Sequence, residues 1–340
     1  MQVFPYSIVA IFFIHHAVGL SFGSIFNDLK DTFSYYSSSL ISEQCDKRWI
    51  PENITGLEDD LEKYLHGQDL AAEIIISALR SHLKKTYRKK PLVFTLHGWM
   101  GGGKGYTADF ILKNWFLKGG RSKFVRKYFA RKDFPLKSMV YEYQTRLQHE
   151  LEETVRTCPN AMFIFDEVDK IPPRVLDGIK PYLDYNDQIN GIDFRKAIFI
   201  FLSNTGDKLI ANITLQKYVE GIPREKLTLK DFDQPLKTTA FNDDGGFFHS
   251  DLIKHVLIDH VIPFLPLERE HVALCVRDEI YFQGGHPSLI ESAIREIFDS
   301  FTFVKDLYSF SGCKGVSQMV DSIIQREERQ ERKRRHHNDL

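Results

Sequence analysis

Gly98, Gly103 and Lys104 stand at the spacing Gly-x-x-x-x-Gly-Lys, directly after the apolar run Leu92-Val93-Phe94-Thr95-Leu96. A strand that breaks into glycines and then starts a helix bares successive backbone N–H groups toward one point. A lysine at the helix start supplies the cation that nucleotide phosphates need. The stretch Gly98, Trp99, Met100, Gly101, Gly102, Gly103, Lys104, Gly105 and Tyr106 therefore reads as a phosphate cradle. In isolation such a stretch is, less often, a flexible connection that binds nothing. The position after the lysine departs from the pattern, because the hydroxyl that would hold Mg²⁺ is replaced by Gly105. Thr107 is no substitute, since two helical residues further on it faces away.

A second run, Ala161-Met162-Phe163-Ile164-Phe165, delivers the paired carboxylates Asp166 and Glu167. Acids at the carboxyl end of a buried parallel strand sit where α/β sheets bind ligands. Taken alone they would be a solvated strand end beside Asp169 and Lys170; paired with the cradle they are candidates for managing metal and water. A third run, Ala197 to Leu202, stops at Ser203-Asn204. Asn204 could orient a water beside a γ-phosphate, being donor and acceptor at once, or could simply start the turn Asn204-Thr205-Gly206-Asp207.

In this order, the cradle, Phe165-Asp166-Glu167-Val168-Asp169-Lys170 and Phe201-Leu202-Ser203-Asn204 resemble the AAA+ ATPases. Leu96-His97-Gly98-Trp99, Ile179-Lys180-Pro181-Tyr182-Leu183-Asp184-Tyr185, Val261 to Glu268 and Gly312-Cys313-Lys314 resemble, more narrowly, the torsins of the endoplasmic reticulum and nuclear envelope. The similarity runs from Cys45 to Val316. It implies an α/β fold: an AAA+ P-loop doubly wound parallel sheet with a small C-terminal helical lid domain. It implies ATP and Mg²⁺ as ligands, with Asp166 binding Mg²⁺ through water, Glu167 as the base for the attacking water, Asn204 positioning that water and Lys314 reporting the γ-phosphate from the lid. It also implies a disulfide between Cys275 and Cys313 next to the nucleotide, and a second between Cys45 and Cys158. The partners it implies are further copies in a homo- or hetero-oligomer and the luminal domain of a membrane-anchored activator of the lamina-associated type. The activator is expected because torsins lack an arginine finger of their own; here Arg156, Arg174 and Arg195 are the unsupported candidates. Met100 replaces the Thr usual in torsins, and Gly105 their Asn.

The elements that must position these groups follow from periodicity. Leu57 to Leu65 and Asp69 to Leu83 have helical apolar spacing, with Gly67-Gln68 between them placed near the adenine by the resemblance. Strands 92–96, 162–166 and 197–202, with a helix over 104–117, alternate as a doubly wound sheet does. The proline-spaced run from Val261 to Leu267 marks a boundary, after which His271 to Gln283 and Ser288 to Phe298 read as lid helices. The expected organisation is 1–22 signal peptide or hydrophobic N-terminal segment, 23–44 spacer, 45–265 large nucleotide-binding domain, 266–322 lid, and 323–340 charged disordered tail.

The 340 residues carry 45 Lys+Arg against 46 Asp+Glu, which leaves no charge excess to draw nucleic acid. The 43% hydrophobic content suffices for a sizeable core. Ser7 to Leu20 is too short to span a bilayer and reads as a secretory signal cleaved around Ser21 to Gly23, with peripheral membrane association of a retained segment as the alternative. The reticulum lumen and perinuclear space are the expected location. Cys45, Cys158, Cys275 and Cys313 allow three pairings there. Asn53-Ile54-Thr55 and Asn212-Ile213-Thr214 are then glycan acceptors. The terminal His337-Asn338-Asp339-Leu340 partly matches a retrieval signal. Tyr128-Phe129 and Phe134 are pore-loop candidates or core. Three functions compete: an activator-dependent ATPase that remodels or chaperones membrane-linked proteins, a nucleotide-gated scaffold with little hydrolysis, which Gly105 favours, and a small-molecule kinase, which poorly explains Asn204 and Lys314.

Overall fold

The apolar runs become parallel strands. In the computed structural model, which describes residues 42–338, helices α1 (Ile54–Tyr64) and α2 (Asp69–Lys84) precede β1 (Leu92–Gly98) and α3 (Lys104–Trp115). Then follow β2 (Val125–Phe129), α4 (Val140–Thr157), β3 (Met162–Asp166), β4 (Ile198–Ser203), α5 (Asp207–Val219), α6 (Asp233–Asn242) and β5 (His260–Phe264). The lid contains α7 (Arg269–Phe282), α8 (Ile290–Ser300) and α9 (Val316–Asn338). Short helical turns lie between these elements. The signal, its cleavage region, the spacer up to residue 41 and Asp339-Leu340 lie outside the described residues. Among the described residues no helix is long and apolar enough to cross a membrane.

The sheet order is β2-β3-β4-β1-β5, and every pairing is parallel. Such strands are buried on both faces, so they are apolar throughout, yet alternate residues still serve opposite sides. Val93, Phe163, Phe165, Phe199 and Phe201 enter one core with Leu147 and Leu151 of α4 and Leu236 of α6. Phe94, Leu96, Ile164, Ile198 and Ile200 enter the other with Leu61 of α1, Ile75 of α2 and Ile111 of α3. Across the first face Phe163 stacks on Phe199 and Phe165 on Phe201, with ring centroids 4.8 and 4.9 Å apart. A third cluster, including Leu267, Val276, Ile297, Val320 and Ile323, is the core of the lid.

Two expectations need correction. The run from Val261 is a strand, β5, before it is a boundary; Pro263 is tolerated because β5 is an edge strand that pairs with β1 alone. The charged stretch from residue 323 is helical through Asn338 as the continuation of α9. Ile323 anchors it in the lid core, and pairs such as Arg332–Glu328 at 3.4 Å lie one turn apart along it.

Candidate functional site

The cradle closes on itself. Gly103 takes φ 103° and caps α3 without a side chain, and the first intrahelical donor is Thr107 N–H, which bonds Gly103 O at 2.8 Å. The amides of Lys104, Gly105 and Tyr106 therefore stand at the helix N-terminus with no side-chain cap competing for them, an arrangement suited to an anion. The Thr107 hydroxyl is buried and donates to Gly103 O at 2.9 Å, so it is already engaged within the helix. Lys104 donates to Gly98 O at 2.6 Å, Trp99 O at 2.9 Å and Asn204 Oδ1 at 3.1 Å. Burial pushes its ammonium down to about 8, although Asp169 and Asp166 pull the other way. Buried His97 ties β1 to the β4 loop, with Nδ1–H donating to Thr205 O at 3.1 Å and Nε2 accepting from the Thr95 hydroxyl at 2.9 Å. Its burial holds the imidazole at about 4, hence neutral.

The acids arrive from β3. Asp166 Oδ1 accepts the Glu167 N–H at 2.8 Å. Burial raises the Asp166 carboxyl above its ordinary value, and the Glu167 amide and Lys104 only partly offset that. Glu167 adopts φ 55°, uncommon for a residue with a side chain and typical of constrained sites; its carboxylate lies 3.7 Å from Arg131 Nε. Asp169 is no solvated neighbour: its side chain is 8% exposed and it bonds Lys170 at 3.0 Å and the Asn204 backbone at 3.0 Å. Asp169, Asn204 and Lys104 thus form one chain of polar contacts joining the ends of three strands.

The lid completes the cleft. Cys313 N–H donates to Gly101 O at 3.1 Å, and a Cβ on Gly101 would lie 1.8 Å from Ser311 O. The cradle and the lid loop therefore meet backbone to backbone, a contact only glycine permits. The Cys275–Cys313 disulfide ties that loop to α7, and Cys45–Cys158 is the other bridge. Lys314 Nζ lies 3.2 Å from the Met100 sulfur. His66 Nε2 meets Asp278 Oδ2 of α7 at 2.6 Å, and Tyr64 meets Phe282 with ring centroids 5.2 Å apart. Gln68 lies under the cradle, donating to Gly102 O at 2.9 Å and Leu265 O at 2.8 Å and accepting Leu265 N–H at 2.8 Å.

These groups surround a cleft of about 710 Å³, lined by Met100 to Tyr106, Asp166, Glu167, Asn204 and Lys314 together with Tyr64, His66, Asp278 and Phe282. Amides, cations, carboxylates and rings together line it, a mixture that suits a nucleotide. The donor set fits Mg²⁺ only thinly: Asp166 is an oxygen ligand of the right hardness, and Gly105 adds none. Gly98 and Trp99 contribute through the carbonyls that hold Lys104.

The remaining candidates separate. Of the described arginines, Arg131 comes within 3.7 Å of the cleft-lining Glu167 carboxylate from an exposed position, and Arg195 is engaged by Asp187 and Asp193 at 2.6 and 2.8 Å. Tyr128 and Phe134 are core, whereas Phe129 reaches the cleft. Asn53 caps α1 through its side-chain oxygen. Asn212 is exposed on α5, with Thr214 buried beneath it. Sequence reading missed Arg224, which donates to Gly67 O and, at 2.8 Å, to Pro266 O, and lies 3.3 Å from Glu268. It clamps the lid connection from a polar segment with no local signature.

Comparison with known proteins agrees with this geometry. A family model described as Torsin matches residues 39–165. The chain is 38% identical over 309 residues to a torsin-like protein of Caenorhabditis elegans, covering 89% of this chain and 85% of that one. It is 38% identical over 299 residues to a torsin-like protein of Drosophila melanogaster, covering 86% and 88%, and 37% identical to Torsin-3A of Rattus norvegicus, covering 81% and 70%. Among solved structures, a Saccharomyces cerevisiae Hsp104–ADP complex aligns with TM-score 0.55 at 18% identity. That alignment covers 80% of this chain, which spans about half (47%) of that one, and at this identity it speaks for the fold alone.

Proposed function

Because this chain belongs to the torsin family of AAA+ proteins, we propose that it binds and hydrolyses ATP in the lumen of the endoplasmic reticulum and the perinuclear space, with turnover that depends on an activator. Its work is to remodel or chaperone membrane-linked proteins. The observation that carries this reading is the convergence of Lys104, Asp166, Glu167, Asn204 and Lys314 on one cleft. The cradle amides and Lys104 hold the phosphates, and the rings of Tyr64 and Phe282 flank the base. Glu167 takes a proton from the attacking water, which Asn204 orients, and Lys314 meets the γ-phosphate from the lid. Bound Mg²⁺ would neutralise phosphate charge, with Asp166 holding it through water.

An arginine for the γ-phosphate would come in trans from an activator, the luminal domain of a membrane-anchored protein of the lamina-associated type, as the family membership suggests. Further copies of the chain, alone or with a relative, form the working assembly. Phosphate release is measured with the disulfide-bonded protein, with and without such a domain. Stimulated release that Glu167→Gln abolishes, with ATP binding retained, is the expected result; no ATP binding by intact protein would end the proposal.

One observation favours a second reading. Gly105 withholds the metal ligand that both the P-loop pattern and torsins supply, as expected of a nucleotide-gated scaffold that binds ATP and partners but scarcely turns over. ATP-dependent assembly without phosphate release, even with activator, would establish it over the first.

A further inference from the structure

Met100 stands in the phosphate cradle with its sulfur 3.2 Å from the ammonium of Lys314, and it is 49% exposed. No other described methionine combines these properties: Met139 is 36% exposed away from the cleft and Met162 is fully buried, while Met319 packs into the lid. The chain's four cysteines are all engaged in disulfides, so no thiol competes for an oxidant and the Met100 thioether is the most exposed soft nucleophile among the described residues.

We propose that Met100 is an oxidative modification site that controls whether Lys314 can reach the γ-phosphate. The reactant is a peroxide: the thioether sulfur attacks one peroxide oxygen, the O–O bond breaks, an S–O bond forms, and water leaves. Sulfur is oxidised by two electrons and the peroxide reduced by two. A thioether is a weak acceptor, whereas a sulfoxide oxygen carries substantial negative charge and is a strong one. With the sulfur 3.2 Å from the ammonium and both side chains exposed, a small rotation lets the new oxygen capture the Lys314 cation in a charge-assisted hydrogen bond. Oxidation therefore costs ATP binding more than ADP binding, because Lys314 serves only the terminal phosphate. A reductase specific for methionine sulfoxide reverses the change.

This inference rests on the nucleotide-binding reading, and the experiment separates the two. The full disulfide-bonded protein is treated with graded hydrogen peroxide, each methionine is followed by peptide mass spectrometry, and ATP and ADP affinities are measured on the same samples. Met100 oxidises ahead of Met139, and ATP affinity falls about tenfold, the worth of one charge-assisted bond, while ADP affinity changes by less than about twofold. Met100→Leu shows no peroxide-dependent change relative to its own untreated sample, and Met100→Gln, with a fixed polar acceptor, shows lowered ATP over ADP preference without peroxide. Met100 oxidation with unchanged ATP over ADP preference, or an equal peroxide-dependent loss in Met100→Leu, overturns the inference. Untreated protein that binds neither nucleotide overturns the underlying reading instead.

Discussion

Asp169 Oδ1 accepts the backbone N–H of Asn204 at 3.0 Å, with the Asn204 amide nitrogen at 3.5 Å, so a carboxylate following one strand sets the attitude of the amide that ends the next. Asn204 in turn presents its Oδ1 to Lys104 at 3.1 Å. Asn204 and Lys104, to which the proposed function gives water and phosphate, are thus tied to one buried acid, Asn204 directly and Lys104 through Asn204.

Asp169→Ala is expected to lower activator-stimulated turnover by roughly ten- to a hundredfold, the usual range for loosening a positioned catalytic group, with KM for ATP nearly unchanged. A KM effect with kcat preserved would assign Asp169 to binding. Burial alone would raise this carboxyl, yet the Asn204 amide and Lys170 outweigh it and hold it below its ordinary value. A depressed carboxyl stabilises the fold above its unfolded pKa, and that contribution disappears as pH falls through the lower folded value. Acid unfolding of Asp169→Ala below about pH 4 should therefore be shallower than that of the parent.

Lys104 should make ATP binding depend on pH. Its ammonium, ordinarily protonated to about 10.5, is pushed by burial down to about 8. Phosphates need the cation, so ATP affinity should weaken as pH rises through about 8, by up to about tenfold per unit, with proton uptake on binding visible as buffer-dependent heats in calorimetry. The stability effect has the opposite sign. Between the folded and unfolded values the unfolded chain binds more protons, so the protein without nucleotide gains stability from Lys104 as pH climbs. Flat affinity between pH 7 and 9.5 would rule this out.

The sequence made β1, β3 and β4 legible because strands covered on both faces are apolar without interruption, and with them the groups at their carboxyl ends. It hid β2, whose Arg126 and Lys127 sit on a sheet edge, and β5, whose Pro263 reads as a break until the edge position is known. Asp169 looked solvated because its partner lies 35 residues further on. The His66–Asp278 and Tyr64–Phe282 contacts arise only when the lid folds back over more than 200 residues, and no local pattern encodes that approach. Both disulfides follow the pairing implied by the family resemblance, since four cysteines alone allow three.

Val256 tests the scaffold apart from the site. It follows the helical turn Asp251–Lys254 at φ 56°, with Val256 N–H bonded to Ile253 O and Leu257 N–H to Leu252 O, the position where glycine usually ends a helix. A β-branched residue in left-handed backbone costs about 1–2 kcal/mol, and at 68% exposure the side chain repays little of it. Val256→Gly should raise stability by about 1 kcal/mol with turnover unaltered. Denaturant unfolding showing no gain would mean the turn is not strained.

Gly105 decides between enzyme and scaffold. A Cβ added there meets nothing within 4 Å, and the residue follows the cradle lysine at the start of α3, so the backbone and its neighbours leave room to begin a Thr or Ser side chain. Its hydroxyl would give Mg²⁺ the oxygen that Asp166 alone does not provide. If the chain is an ATPase with a weakened metal site, Gly105→Thr should tighten Mg²⁺-dependent ATP binding and raise stimulated turnover about tenfold, a gain of about 1.4 kcal/mol in metal-assisted stabilisation. Gly105→Ala controls for helix propensity, which favours Ala over Gly by up to about 1 kcal/mol, and should raise the melting temperature without raising turnover. Equal effects of Thr and Ala would show that the missing hydroxyl is not what limits the reaction. A Thr variant that binds Mg²⁺–ATP more tightly yet releases no phosphate would move the assignment to the scaffold.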